Sequence, residues 1–256
     1  MIPKTIHLCW FSGEPYPVEV LRCLDSWQKV MPDYTVRLWD YEEAQSLGSR
    51  FVNEALACKK WAFAADAVRF YAVWKEGGIY MDSDILLYKR FDDILPAHGC
   101  ATFNEYVDPN ENRLRLQAAC FIGEKGNAFC RQMWQLYQHR PFILPNGEPD
   151  LTISPYLMAQ TALKYGLCRT EKVQHLGELT VWPTWMLTPS KSYPAHKDAI
   201  GMHCILGSWR KRSWGRRLEI RLKHTWNYIT YQIRPILKLR YCAPISSLVG
   251  RTKTPK

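Results

Sequence analysis

The sequence predicts an α/β fold built on a mostly parallel sheet, and three observations carry this. A β-prone run, a helix-periodic run and a second β-prone run follow one another between Lys4 and Trp39. A long helical pattern ends at Gly77-Gly78 and passes directly into another β-prone run. Hydrophobic residues make up 47% of the 256 and aromatics 13%, enough for a substantial core and too many for a disordered chain. A strand, helix, strand succession of this length is the right-handed crossover of a parallel sheet, where ligands bind beyond the carboxyl ends of the strands.

Lys4 to Trp10 alternates and predicts the first strand, with Ser12-Gly13-Glu14-Pro15 as the loop behind it. Val18, Leu21, Leu24, Trp27 and Val30 recur at helical spacing, and Met31-Pro32-Asp33 stops that helix. Tyr34 to Trp39 is the second strand. Helix is predicted from Glu42 to about Val52 and again from Ala55 to Glu76, where Gly77-Gly78 forms a left-handed cap. Ile79 to Leu87 is then read as one strand. In an extended chain Tyr80, Asp82 and Asp84 would share a face, with Ile79, Met81 and Ser83 on the other. Cys100 to Tyr106 and Leu114 to Gly123 form a predicted strand pair, followed by helices over Asn127 to His139 and Pro155 to Tyr165. Val173 to Leu187, broken by Pro183, is irregular strand, and Ala199 to Leu206 is the last short strand.

Nine cysteines form no Cys-x-x-Cys pair and are odd in number, which fits reduced thiols in a cytoplasmic protein better than a disulfide scaffold. The amino terminus lacks a basic and then apolar leader pattern, and no apolar run reaches the roughly 18 residues of a membrane span. The formal charge of +10 is concentrated at one end: residues 207–256 hold 13 Lys and Arg against the single acid Glu219, leaving the rest of the chain close to neutral. Within that tail Leu218, Leu222, Trp226, Ile229, Ile233, Ile236 and Leu237 recur every three or four residues, with Arg216, Arg217, Arg221, Lys223, Arg234 and Lys238 mostly between them. Trp214, Trp226, Tyr228 and Tyr231 add interfacial aromatics. The expected division is a catalytic body over 1–209 and a basic amphipathic tail over 210–256, whose segment 210–241 lies on an anionic membrane surface. A helix packed on the body with a solvated basic face is the alternative. No nucleic-acid motif accompanies the charge, so nucleic acid is not expected as a partner.

Chemistry is expected where Asp82-Ser83-Asp84 ends a strand. With 11 aspartates in the chain, chance alone gives about 0.5 such Asp-x-Asp motif, so its context has to carry the assignment. Here it follows a glycine pair and a helix bearing Asp66 and Arg69. Mg²⁺ or Mn²⁺ takes hard oxygen ligands and keeps water and phosphate oxygens in its shell, so one or two carboxylates suffice beside a diphosphate. On spacing alone Asp66 and Arg69 would be an exposed ion pair worth a few tenths of a kcal/mol; beside a metal and diphosphate they could instead orient sugar hydroxyls or phosphate. His7 and His203 each sit in apolar strands, where a hydrogen-bonded core histidine is usual. His203 also precedes Gly207-Ser208-Trp209, a segment suited to covering a ligand. Trp10 is either core or a flat surface for a nucleobase.

Ile2-Pro3-Lys4-x-Ile6-His7-x-x-Trp10, Asp66-x-x-Arg69, Gly77-Gly78-Ile79-Tyr80-x-Asp82-x-Asp84, and His203 ahead of Gly207-Ser208-Trp209 together resemble the DXD-containing sugar transferases. That family includes fungal Golgi mannosyltransferases and bacterial capsular polysaccharide transferases, and is distantly similar to the glucosyltransferase domains of clostridial toxins. The resemblance spans about residues 1–209. It implies a GT-A fold and retaining transfer of a hexose from a nucleotide sugar, a UDP-sugar or a GDP-sugar, to a hydroxyl of a lipid-linked or polysaccharide acceptor. It implies that Trp10 borders the nucleobase, that Asp66 and Arg69 meet the donor sugar, and that Tyr80 and Ser83 line the donor pocket. Asp82, Asp84 and His203 would hold Mn²⁺ or Mg²⁺, while Ser208 and Trp209 would close over the diphosphate. Ala65 departs from the family, which often has serine before the aspartate. Asn104, Glu105 and Gln117, on the segments after the metal strand, are the candidates near the anomeric carbon.

The function expected from this reading is a metal-dependent transferase of polysaccharide biosynthesis, peripheral on the inner face of the cell membrane. Two alternatives use the same residues differently. One is a non-catalytic membrane or sugar-binding module on the same fold. The other is a Mg²⁺-dependent phosphohydrolase with an aspartate nucleophile, disfavoured because such a nucleophile usually follows the first strand of its domain.

Overall fold

A computed structural model describes residues 1–105, 113–187 and 198–205, together with Trp214, Gly215, Leu218, Glu219, Arg221, Leu222, Thr225, Trp226 and Ile229 of the tail. The first crossover is as expected. β1 (Thr5–Cys9) leads to α1 (Val18–Val30), which returns to β2 (Thr35–Trp39), and β1 and β2 pair in parallel from Thr5 opposite Thr35 to Cys9 opposite Trp39.

Next come α2 (Tyr41–Ser46), α3 (Arg50–Ala57) and α4 (Trp61–Glu76). Two predicted helices are thus three. One break falls at Gly48, with φ of 67°, and the other at Lys59, which takes φ of 54°. Ser49 then caps α3, its Oγ accepting from the Val52 N–H.

After α4 the chain turns through Gly77 and Gly78 into β3 (Gly78–Met81). The turn requires glycine twice. Gly77 has φ of 70° with ψ of −178°, so it is a positive-φ cap outside the left-handed helical well. Gly78 has φ of 107°, and a Cβ there would lie 2.6 Å from the Thr5 carbonyl oxygen.

The predicted strand Ile79 to Leu87 is two strands. β3 ends at Met81, and β4 (Ile85–Leu87) belongs to a separate two-stranded sheet with β9 (Gly201–His203). Asp82-Ser83-Asp84 is the turn between them, closed by the Ile85 N–H donating to the Asp82 carbonyl. The two aspartates therefore meet because the chain bends, and the strand alternation expected to align them stops at Met81.

β5 (Cys100–Phe103) and β6 (Cys120–Gly123) pair antiparallel as expected, followed by α5 (Ala128–Gln138) and α6 (Ser154–Leu163). The irregular stretch after Val173 resolves into the hairpin β7 (Gln174–Leu176) and β8 (Leu179–Trp182), ending at Pro183. The large sheet runs β2-β1-β3-β6-β5-β8-β7, with β6 and β7 opposed to the other five.

Each face of the sheet has its own core. Ile6, Leu8, Ile79, Met81, Ala101 and Phe103 pack with Trp27 of α1 and with Met31 just after it on one side. Tyr80 and Phe121 pack with Phe51, Phe70 and Tyr137 on the other, under α3, α4 and α5. The period-2 alternation of β3 is thus real over its four residues, placing Tyr80 opposite its neighbours Ile79 and Met81. α1 is also tied to the small sheet: Trp27 Nε1 donates to the Ile85 carbonyl at 2.7 Å, and Ser26 Oγ accepts from the Leu87 N–H at 3.0 Å.

Candidate functional site

Because β1, β3 and β5 run the same way, their carboxyl ends share one rim, and the antiparallel β6 begins there. That rim gathers Trp10 after β1, Asp82 after β3, Asn104 and Glu105 after β5, and Gln117 to Ala119 ahead of β6. It is the position where an open α/β sheet takes its ligand.

The acidic turn is one half of a compact donor set. Ligand atoms from Asp82, Asp84 and His203 all lie within 4.8 Å of one another. β9 pairs antiparallel with β4, so Ile85 stands opposite His203 and the imidazole returns to the turn that carries Asp84. His203 Nε2 is 3.4 Å from Asp84 Oδ1, while its Nδ1 is buried without a hydrogen-bond partner. Burial lowers the His203 pKa, but Asp84, then Asp82 and Glu105, outweigh it and raise the value to about 9. Two carboxylates, an imidazole with an uncommitted nitrogen and this electronegative surrounding fit a hard or borderline divalent cation.

Behind the turn lies a buried charge cluster. Arg69 is 4% exposed and Asp66 9%, so the exposed pair suggested by their spacing is instead interior. α4 passes under the rim and carries both inward. Arg69 Nη2 is 2.8 Å from Asp66 Oδ1 and 3.6 Å from Asp82 Oδ1. Its Nη1 donates to the Ala118 carbonyl and its Nε to the Ala65 carbonyl. The guanidinium also lies over the Tyr80 ring, 4.7 Å from the centroid, and Tyr80 donates its hydroxyl proton to Asp82 Oδ1 at 2.6 Å. Arg69 and Tyr80 thus hold Asp82 from beneath. Burial raises the Asp66 carboxyl to about 6, with the Arg69 attraction only partly offsetting it while Asp82 repels. Burial likewise pushes the Cys9 thiol up, so this neighbour of Arg69 and Asp82 stays neutral.

Sequence spacing did not reveal what holds Asp66. The N–H of Ser154, the first residue of α6, donates to Asp66 Oδ2 at 3.2 Å, which sets the carboxylate at a helix N-terminus 88 residues away. No local signal reports such a pairing. Trp10 gains a neighbour in the same way: Tyr16 lies 4.8 Å from it, ring centroid to centroid, and the indole N–H donates to the Glu14 carbonyl. The half-buried indole is therefore fixed in orientation beside the rim.

The three candidates for the anomeric centre separate. Glu105 is near enough to His203 to raise its pKa. Asn104 spends its amide on the Thr170 carbonyl, and Gln117 Oε1 accepts from the Ala119 N–H. Ser83 sits at the middle of the acidic turn, half-buried. His7 is a satisfied core residue: Nε2–H donates to the Gly77 carbonyl, and Nδ1 accepts from Trp39 Nε1. Ser208 and Trp209 lie outside the described residues.

Residues 17–100 match the family model for the glycosyltransferase sugar-binding region containing the DXD motif. Among curated proteins, the chain is 31% identical over 101 residues to uncharacterized glycosyltransferase L373 of Acanthamoeba polyphaga mimivirus, covering 37% of this chain and 40% of that one. It is 30% identical over 98 residues to inositol phosphoceramide mannosyltransferase 3 of Schizosaccharomyces pombe, covering 37% and 27%. The match thus spans less than half the length of either relative. Among solved structures, the PaToxG glycosyltransferase superposes with a TM-score of 0.50 at 20% identity, over 64% of this chain and 69% of that one. The shared architecture is the GT-A fold. Trp10 and His203 both fall outside the matched stretch 17–100 and reach the site through the fold alone.

Proposed function

We propose, from the match of residues 17–100 to the glycosyltransferase sugar-binding region containing the DXD motif, that the protein moves a hexose from a nucleotide sugar to an acceptor hydroxyl, with retention at the anomeric carbon. The observation that carries the reading is the Asp82, Asp84 and His203 set, within 4.8 Å, at the carboxyl ends of parallel strands. These three residues would hold Mn²⁺ or Mg²⁺, which when bound neutralises charge on the departing nucleoside diphosphate. The chain's own groups do the rest by positioning. Arg69 and Tyr80 fix the Asp82 carboxylate. Asp66, anchored by Ser154, offers an acceptor for sugar hydroxyls. Trp10, braced by Tyr16, offers its face to the base of a UDP- or GDP-sugar. Glu105, whose charge reaches His203, is the acidic side chain assigned to the anomeric side.

The body over 1–209 performs the transfer and the tail over 210–256 keeps it at an anionic membrane surface on the cytoplasmic side. A lipid-linked or polysaccharide acceptor, as in capsule assembly, suits that placement. Among the described residues no helix is long and apolar enough to cross a membrane.

The test is release of nucleoside diphosphate from a panel of nucleotide sugars, with and without Mn²⁺. Asp82→Asn or Asp84→Asn is expected to lower kcat/KM by about 10²–10³, the usual effect of losing a group that stabilises transition-state charge. Full turnover by the double variant would refute the metal role. Calorimetric binding of a nucleotide sugar with no turnover toward any acceptor would favour the non-catalytic module.

A further inference from the structure

The described tail residues are helical, and they meet α1 through polar contacts. Arg221 Nε lies 3.1 Å from Glu19 Oε1, and Arg22 Nη1 donates to Thr225 Oγ1 at 2.9 Å. A helix docked by its apolar stripe would bury that stripe. Here Leu218, Leu222, Trp226 and Ile229 are 41%, 61%, 41% and 45% exposed, and Trp214 is 78% exposed. α1 behaves likewise beside the contact: Val18 precedes Glu19 and Leu21 precedes Arg22, and these two apolar side chains are 54% and 50% exposed. Two neighbouring helices therefore share a polar seam while apolar side chains on both remain in solvent.

We propose that α1 and the tail helix form one composite docking surface for an anionic lipid bilayer. This rests on the reading of the tail as a membrane segment and adds α1 as its second half, with Glu19–Arg221 and Arg22–Thr225 as the clamp that sets their mutual angle. Val18, Leu21, Leu218, Leu222, Trp226 and Ile229 enter the headgroup and acyl boundary, as the apolar side of an interfacial helix does. Charge complementarity selects the occupant. The patch belongs to a segment with 13 basic residues against one acid, which an anionic lipid surface attracts and a second copy of the same basic tail repels. Exposed apolar side chains on two helices joined by one polar seam are what a docking face offers.

The placement has a consequence for the acceptor. The carboxyl-terminal half of α1 is bonded to β4, the strand leaving Asp84, through Ser26 and Trp27. The free thiol of Cys23 in α1 raises the pKa of the free thiol of Cys204, which follows His203, so the two are neighbours. One 13-residue helix, about 20 Å long, thus connects the lipid-facing patch to the elements that supply Asp84 and His203. An acceptor whose reactive hydroxyl lies close to the bilayer is within reach.

The experiment is co-flotation of the full chain with phosphatidylcholine vesicles and with vesicles containing phosphatidylglycerol. Donor hydrolysis in solution is followed in parallel, since none of the substituted residues belongs to the donor site. Binding to the anionic vesicles alone is expected. Val18→Ser with Leu21→Ser should weaken it about tenfold or more, and Leu222→Ser with Trp226→Ser at least as much, with hydrolysis unchanged in each. If the tail pair abolishes flotation while the α1 pair has no effect, the composite surface is wrong and the tail reading stands. If the wild-type chain fails to bind anionic vesicles, both fall. Self-association that the patch substitutions abolish would replace the bilayer by a second copy and overturn the proposal.

Discussion

Asp66 shows how much burial changes a residue. Spacing on α4 suggested an exposed pair with Arg69, yet the carboxylate is interior and its pKa is raised to about 6 by burial, with Arg69 opposing. In the unfolded chain an aspartate titrates near 3.9. A folded value above the unfolded one means that the ionised group costs stability. The cost is absent below about pH 4, grows as pH rises toward 6 and is complete above it. The stability of Asp66→Asn relative to the wild type is therefore expected to be higher at pH 8 than at pH 4, while transfer activity falls. Urea unfolding at the two pH values reads this directly; an equal change at both would show that the charge is not what strains the site. The two aspartates of the motif were legible as candidate ligands from residue type and order. Their buried support, Arg69, Tyr80 and Ser154, was legible only in part, because Ser154 is 88 positions from Asp66.

At the level of elements, local chemistry determined most boundaries. α1 occupies its predicted range because apolar periodicity and the flanking prolines agree. The helix breaks at Gly48 and Lys59 were missed, since apolar periodicity continues across both. The run from Ile79 to Leu87 failed as a single strand because its polar centre, Asp82-Ser83-Asp84, flanked by apolar residues also suits strand, turn, strand. Sheet partners decide between these, β6 for the first half and β9 for the second. The Gly77-Gly78 turn offers a sharp test. Gly147 has φ of 83° with nothing near a built Cβ, whereas Gly78 combines φ of 107° with a Cβ position 2.6 Å from the Thr5 carbonyl oxygen. Gly147→Ala should cost about 1–3 kcal/mol from backbone strain alone, and Gly78→Ala clearly more. Equal shifts in urea midpoint would mean that β1 yields to the added methyl.

For the whole molecule, the decisive event is the return of the chain from β8 to β9, which lays His203 beside an acidic turn more than 100 positions earlier. A cation bound there links segments remote in sequence and should stabilise the folded state by mass action. At 100 times Kd the gain is about 2.7 kcal/mol, or about 5–10 °C in Tm for a chain of this size. Thermal unfolding with Mn²⁺ measures it, and His203→Ala should remove most of the shift. A Tm indifferent to Mn²⁺ and Mg²⁺ in the wild type would exclude the site.

Taken alone, the sequence determined the α/β class, the first crossover, the helix ahead of the glycine pair and the chemical type of the candidate metal-ligating residues. Each of these follows from interactions within a few residues of one another: apolar period, capping, turn conformation and ligand hardness. Only the tertiary structure decided that Asp66 and Arg69 are interior, that the acidic pair sits in a turn between two sheets, that Glu105 raises the His203 pKa, and that the described tail helix leaves its apolar side exposed. Those outcomes depend on which surfaces meet across large sequence separations, and no local pattern encodes them.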